Sequence, residues 1–254
     1  ITDSGVETLV EGLSDPNCKL KQLRLHGCGL SPQACKHLTK ALKESPKLQE
    51  LDLSMNGIGN EGVQHLANGL RAPGCHLETL SVSRCGITHI GAGFLAKVLC
   101  SISQLFKLDL SMNCLRDQGV KEICGGMKNP YSHLKVLNLS QCSLTDDCCA
   151  ELSVGLSSKE NVVIDLDLSS NDLQDKGVKK LCMGMRAPHC KVEKLSLRSC
   201  GLSSKSVECL ITALKSNPQH LAELHLMGNN LQDSSIRVLS DLTKNQKYTL
   251  TTIE

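Results

Sequence analysis

The sequence predicts an α/β solenoid, a single curved stack of strand–helix units running through the whole 254-residue chain. Three observations predict it. A short leucine pattern recurs at a nearly constant interval. Each copy is followed by an apolar stripe with helical spacing. Turn and breaker residues bound every stripe.

The pattern is L-x-x-L-x-L-x-x-(N or C). It occurs as LKQLRLHGC (20–28), LQELDLSMN (48–56), LETLSVSRC (77–85), LFKLDLSMN (105–113), LKVLNLSQC (134–142), IDLDLSSN (164–171, after Val163), VEKLSLRSC (192–200) and LAELHLMGN (221–229). The closing residues alternate strictly: Cys28, Asn56, Cys85, Asn113, Cys142, Asn171, Cys200, Asn229, each 28 or 29 residues after the last. The true period is therefore a pair of units. Fixed self-similarity of this length marks a repeat architecture, because one unit cannot bury its own apolar face and neighbours can.

The elements follow in chain order. ITDSGVETLVEGL opens the chain and matches IGNEGVQHLANGL (58–70), so the first element is the helical half of a unit. Each leucine pattern then supplies a short strand with Leu facing the core. A helix follows: Val63, Leu66, Ala67 and Leu70 repeat as Val120, Ile123, Cys124 and Met127, and again as Val178, Leu181, Cys182 and Met185. The i, i+3, i+4, i+7 spacing puts them on one helix face. Asp3, Asn60, Asp117, Asp146, Asp175, Ser204 and Asp233 stand where N-caps are expected. Pro16, Pro46, Pro73, Pro130, Pro188 and Pro218 end the helices. Leu250, 29 residues after Leu221, opens a ninth strand.

Strands stack at roughly 4.8 Å and helices need about 10 Å, so the stack bends. The expectation is a horseshoe of about eight alternating 28- and 29-residue units, with a parallel sheet on the concave face and helices on the convex face. Residues 1–254 form one domain in this reading, cut at both ends from a longer protein because neither end carries a polar capping unit. The buried Asn must find backbone partners. Cys offers only a weak donor for that task, so the alternation implies two slightly different turns.

Composition excludes several function classes. Net charge is +2, from 28 basic and 26 acidic residues, which gives no electrostatic case for nucleic acid. Aromatic content is 2% with no Trp, so base stacking and Trp-anchored interfaces are not expected. No 18-residue apolar run spans a membrane, and no signal peptide opens the chain. The 15 Cys are odd in number and mostly occupy core positions, as buried free thiols would. That reading places the chain in a reducing compartment, the cytosol. Cys148-Cys149 follows Asp146-Asp147, but Cys149 takes the place of Val120 and Val178, and no CxxC pair exists. No metal and no cofactor are expected. Cys18, Cys75 and Cys190 share one column with Ser132, a repeat feature. Nothing points to a catalytic triad, and no phosphate-binding GxxxxGK[ST] loop occurs.

These units are leucine-rich repeats, and the Asn/Cys alternation resembles the ribonuclease-inhibitor-like class. LRLHGCGL, GLRAPGCHLETL and LDLSMNGIGNEGVQHL look closest to the repeat domains of cytosolic NOD-like receptors of the NLRP type. The resemblance covers essentially the whole chain. It implies a non-catalytic interaction and autoregulatory module of an innate immune sensor. Its partners would be proteins or its own nucleotide-binding (NACHT) module, outside this sequence. A stand-alone ribonuclease-inhibitor-like protein and a GTPase-regulating arc are the alternatives.

An arc binds through its variable inner positions. These give Arg24, His26, Glu50, Asp52, Lys107, Asp109, Asn138, Asp165, Asp167, Lys194, Arg198, Glu223 and His225 as candidate binding residues. Asp52, Asp109 and Asp167 recur on Asn-type units, roughly 10 Å apart. With Glu50 and Asp165 they make an intermittently acidic face, beside a uniform serine column, suited to a basic segment. Asp and Ser are also ordinary soluble fillers of a strand, so the motif alone does not decide between docking and consensus.

Overall fold

A computed structural model describes all residues 1–254. Nine short strands form one parallel sheet in sequence order: β1 (Gln22–Arg24), β2 (Glu50–Asp52), β3 (Thr79–Ser81), β4 (Lys107–Asp109), β5 (Val136–Asn138), β6 (Asp165–Asp167), β7 (Lys194–Ser196), β8 (Glu223–His225) and β9 (Thr252–Ile253). The helices are α1 (Asp3–Leu13), α2 (Pro32–Glu44), α3 (Gly59–Leu70), α4 (His89–Leu99), α5 (Arg116–Met127), α6 (Cys148–Ser157), α7 (Gln174–Met185), α8 (Ser204–Ser216) and α9 (Asp233–Thr243). Every unit repeats strand, turn and helix, and each helix packs on its neighbours in sequence.

The register follows the leucines. Leu23, Leu51, Leu80, Leu108, Leu137, Leu166, Leu195 and Leu224 pair in one row, with Ile253 beyond them. Sheet and helix stripes close over a continuous core of 69 buried residues. Val63, Leu66 and Leu70 lie in it, as do Val120 and Val178. Cys149 is fully buried beside them, at the Val position the repeat assigns to it.

The buried Asn finds the expected partners, and they belong to two units. Asn113 Nδ2–H donates to the carbonyls of Val82, Leu110 and Ser111, at 2.9, 2.9 and 3.2 Å. Its Oδ1 accepts from the N–H groups of Cys85 and Ile87, both at 3.0 Å. Asn171 repeats all five bonds, three to the unit before it and two to its own. Cys85 Sγ reaches only carbonyls, those of Leu53 and Ser83. Each Asn thus binds its own turn to the preceding Cys-type turn, which is why the pair is the period.

The two turns differ, as the alternation implies. Cys-type units put a second left-handed residue directly after the Cys: Gly29, Gly86, Ser143 and Gly201. Three Asn-type units put it at the start of the helix, at Gly59, Arg116 and Gln174. There the N–H donates to the carbonyl of Cys85, Cys142 or Cys200 in the next unit.

This geometry corrects the N-cap assignment. The capping positions are Thr2, Ser31, Thr88 and Ser203 in α1, α2, α4 and α8, while α3, α5 and α7 have no side-chain cap. Asp3, Asn60, Asp117 and Asp175 sit inside the first helical turn. They reach across to the next unit, bonding Ser31, Thr88, Thr145 and Ser203. Asp146 instead holds Lys176 and Lys180 of α7, each at 2.8 Å. Ser204 Oγ accepts from Gln232 N–H, and Asp233 opens α9. The residue types are those of caps, but these helices start one or two residues earlier than a local reading allows, except α6, which starts one residue later, after Asp147.

Helices also pair. A Cβ added at Gly69 of α3 would lie 2.8 Å from Leu42 Cβ on α2. At Gly126 of α5 it would lie 2.9 Å from Leu99 Cβ and 3.0 Å from the Ala96 carbonyl on α4. These glycines let α3 lie close on α2 and α5 close on α4.

Candidate functional site

The sheet face carries the candidates in three columns set by the strand register. Gln22, Glu50, Thr79, Lys107, Val136, Asp165, Lys194 and Glu223 form the first. Arg24, Asp52, Ser81, Asp109, Asn138, Asp167, Ser196 and His225 form the second. The third follows two residues on, from His26 to Met227.

Eight candidates line one open cavity of about 400 Å³: Lys107, Asp109, Asn138, Asp165, Asp167, Lys194, Arg198 and His225. Val136 and Ser196, which the sequence placed in the columns but did not single out, line it too. The other five stand outside it. Arg24 and Glu50 pair at 3.1 Å near the first strands. His26 is exposed in the turn after β1. Asp52 is half-buried on β2, and Glu223 pairs with Lys194 at 3.1 Å.

The Asp column has a local structural role. Asp52, Asp109 and Asp167 each accept the N–H two residues on, from Ser54, Ser111 and Ser169, at 2.9 to 3.0 Å. Asn138 does the same for Ser140. Such turns fix the chain as it leaves the strand. The serine column is not a uniform docking surface, which corrects the expectation. Ser54, Ser111 and Ser169 are buried and bond neighbouring serines, Ser54 Oγ to Ser81 Oγ at 2.7 Å.

His225 also departs from expectation, since only 7% of it is exposed. Arg198 Nη2–H donates to His225 Nδ1 at 2.9 Å, which leaves the imidazole proton on Nε2. That N–H faces Glu223 Oε2 at 3.5 Å without making a hydrogen bond, and the buried Nε–H of Arg198 has no acceptor. Glu254 contacts Arg198 through Nη2 alone.

Charge in the cavity is unevenly met. The ion pairs of this face are Arg24–Glu50, Lys194–Glu223 and Arg198–Glu254, with His225 3.5 Å from Glu223 and 3.7 Å from Glu254, and none takes Asp109, Asp165 or Asp167. Burial pushes the Asp165 carboxyl above the ordinary carboxylate range; nearby Asp167 and Glu223 add to it against Lys194 and Lys107. Lys194 holds Glu223 below that range, first through their hydrogen bond. The arrangement offers carboxylates to a cation. It offers no nucleophile–base pair.

The thiols belong to the core. All 15 Cys are free. Burial pushes Cys35, Cys124, Cys142 and Cys182 up to about 12. Only Cys100 and Cys114 are exposed, on opposite edges of the stack. No helix is long and apolar enough to cross a membrane.

Known proteins agree with this architecture. A family model described as Leucine Rich repeat matches residues 44–67, 75–96, 105–124, 132–153, 162–182 and 217–240, just over half the chain. The ribonuclease inhibitor of Sus scrofa is 40% identical over 135 residues, 53% of this chain and 30% of that protein. NACHT, LRR and PYD domains-containing protein 5 of Homo sapiens is 41% identical over 137 residues, 54% of this chain and 11% of that protein. Protein 12 of the same human series is 40% identical over 133 residues, 52% of this chain and 12% of that one. The match thus spans less than a third of each relative. A solved structure from Bacteroides fragilis covers 97% of this chain and 69% of its own, with TM-score 0.58 and 14% identity, a likeness of fold alone. The chain belongs to the leucine-rich repeat family.

Proposed function

We propose that this chain is the protein-interaction and autoregulatory module of a cytosolic NOD-like receptor, and that it does no catalysis. The cavity on the sheet face between β4 and β8 is its docking surface. The observation that carries this is charge without a counter-charge: Asp109, Asp165 and Asp167 line the cavity and none has an ion-pair partner. A basic side chain of a docking segment meets the carboxylates. The segment comes from a partner protein or from the receptor's own nucleotide-binding module. Similarity to the human NACHT-containing proteins supports the receptor reading, and the reduced core thiols support the compartment.

The test is co-precipitation with the nucleotide-binding region of the full-length receptor. The triple variant Asp109→Asn, Asp165→Asn, Asp167→Asn should weaken capture at least tenfold, in line with about 1.5–3 kcal/mol for hydrogen bonds to charged groups. Unchanged capture would overturn the site. The ribonuclease-inhibitor reading rests on the 40% identity to the porcine protein, and a ribonuclease inhibition assay separates the two.

A further inference from the structure

A second surface lies away from the cavity, on the edge where the strands turn into the helices. One residue just before the closing Asn or Cys has positive φ in every unit: Gly27, Met55, Arg84, Met112, Gln141, Ser170, Ser199 and Gly228. Gly accepts this conformation freely, while any other residue carries a conformational cost there. Units 1 and 8 use Gly. Units 2, 3 and 4 hold Met, Arg and Met, at φ of 58°, 51° and 56°. The backbone itself does not call for those side chains.

They form one continuous row. Met55 N–H donates to Ser83, Arg84 N–H to Ser111 and Met112 N–H to Ser140, so consecutive turns stack at roughly the strand spacing of 4.8 Å. Met55 is 44% exposed and Met112 47%. Ile90, 53% exposed at the start of α4, and the exposed thiol of Cys114 extend the apolar part. Arg116 opens α5 at φ 54° and is also exposed. A cation at a helix N-terminus opposes the helix dipole. The two arginine ion pairs in the molecule are those of Arg24 and Arg198, so Arg84 and Arg116 stand without a carboxylate. The acid nearest in sequence, Asp117, is committed to Thr145.

We propose that this edge of units 2 to 4 is a docking surface for a peptide segment of another protein that carries carboxylates and large apolar side chains together. The carboxylates meet Arg84, Arg116 and the positive helix ends behind them. The apolar side chains meet Met55, Met112 and Ile90, whose soft or branched chains adapt to varied partners. Neither the residues nor the edge is shared with the sheet-face cavity, so this site stands or falls independently.

The exposed thiols supply the experiment. The probe is a fluorescein-labelled helical peptide of Glu, Leu and Ala with Glu and Leu on one face; the control replaces Glu by Lys. Anisotropy should give at least tenfold tighter binding for the Glu peptide. Bound peptide should slow maleimide labelling of Cys114 several-fold while Cys100, on the other edge, reacts at its free rate. Arg84→Glu with Arg116→Glu should abolish both effects. Met55→Gly with Met112→Gly should weaken binding without lowering Tm, since Gly relieves the left-handed backbone. Equal binding of the two peptides, equal protection of both thiols, or self-association of the chain through this edge in sedimentation would overturn the proposal.

Discussion

At the scale of single residues, one kind of polar side chain, the closing Asn, ties neighbouring turns together. Asn113 makes five hydrogen bonds to two turns while 4% exposed. Asn113→Ala strands those backbone groups in the core, and unfolding in urea should show a loss of roughly 2–4 kcal/mol. Asp165 works the other way. Its carboxyl is raised by burial, so the folded state holds the proton more tightly than the unfolded chain. The site's contribution is therefore most favourable at low pH and is lost as pH rises from the unfolded value through the higher folded one. Asp165→Asn should raise Tm at pH 7, and the gain should shrink as pH falls below the carboxylate range. A gain that grew towards acid would show that Asp165 is stabilised as an anion.

Among elements, helix pairing rests on close approach. Gly125 and Gly126 are neighbours in α5 with opposite surroundings. A Cβ at Gly125 meets nothing within 4 Å, whereas at Gly126 it meets Leu99 and the Ala96 carbonyl. Gly125→Ala should stabilise by about 0.5–1 kcal/mol through helix propensity. Gly126→Ala should destabilise by about 1–3 kcal/mol through overpacking. Thermal melts of the two variants check this, and the same sign for both would mean that α4 and α5 are not closely apposed. The unit lengths have an equally local cause. Six positions separate Leu42 from Leu48 and Leu99 from Leu105, against seven from Leu70 to Leu77. The shorter 28-residue units lose their residue in the loop that returns to the sheet.

For the whole molecule, the core explains the cysteine content. Ten of the 15 thiols are buried: five fill helix places that Val, Ala or Gly fill in other units, three alternate with the closing Asn, and Cys75 and Cys190 share the column of Ser132. Native protein should therefore react fast with maleimide only at Cys100 and Cys114. All 15 should react in denaturant after preparation without oxidation, as mass spectrometry would read. A majority found in disulfides would refute the reducing compartment.

The sequence by itself determined the architecture: unit boundaries, strand register and the core faces of sheet and helix. A fixed repeat makes the strand pairing and core contacts of one pair of units a copy of the next, so periodicity is enough to read them. It also placed Asp109, Asn138, Asp167 and the rest of the inner columns in their correct strand positions. Only the tertiary structure decided how those side chains are used. Asp3, Asn60, Asp117 and Asp175 look like caps of their own helices, yet they bond residues 28 positions later in the next unit. Ser54 and His225 look like surface residues, yet neighbouring strands bury them. Lys194 and Arg198 turn towards Glu223 and Glu254, so the carboxylates of β4 and β6 have no ion-pair partner. Partner choice of this kind depends on distances across units, and a linear pattern carries the order of units but not those distances.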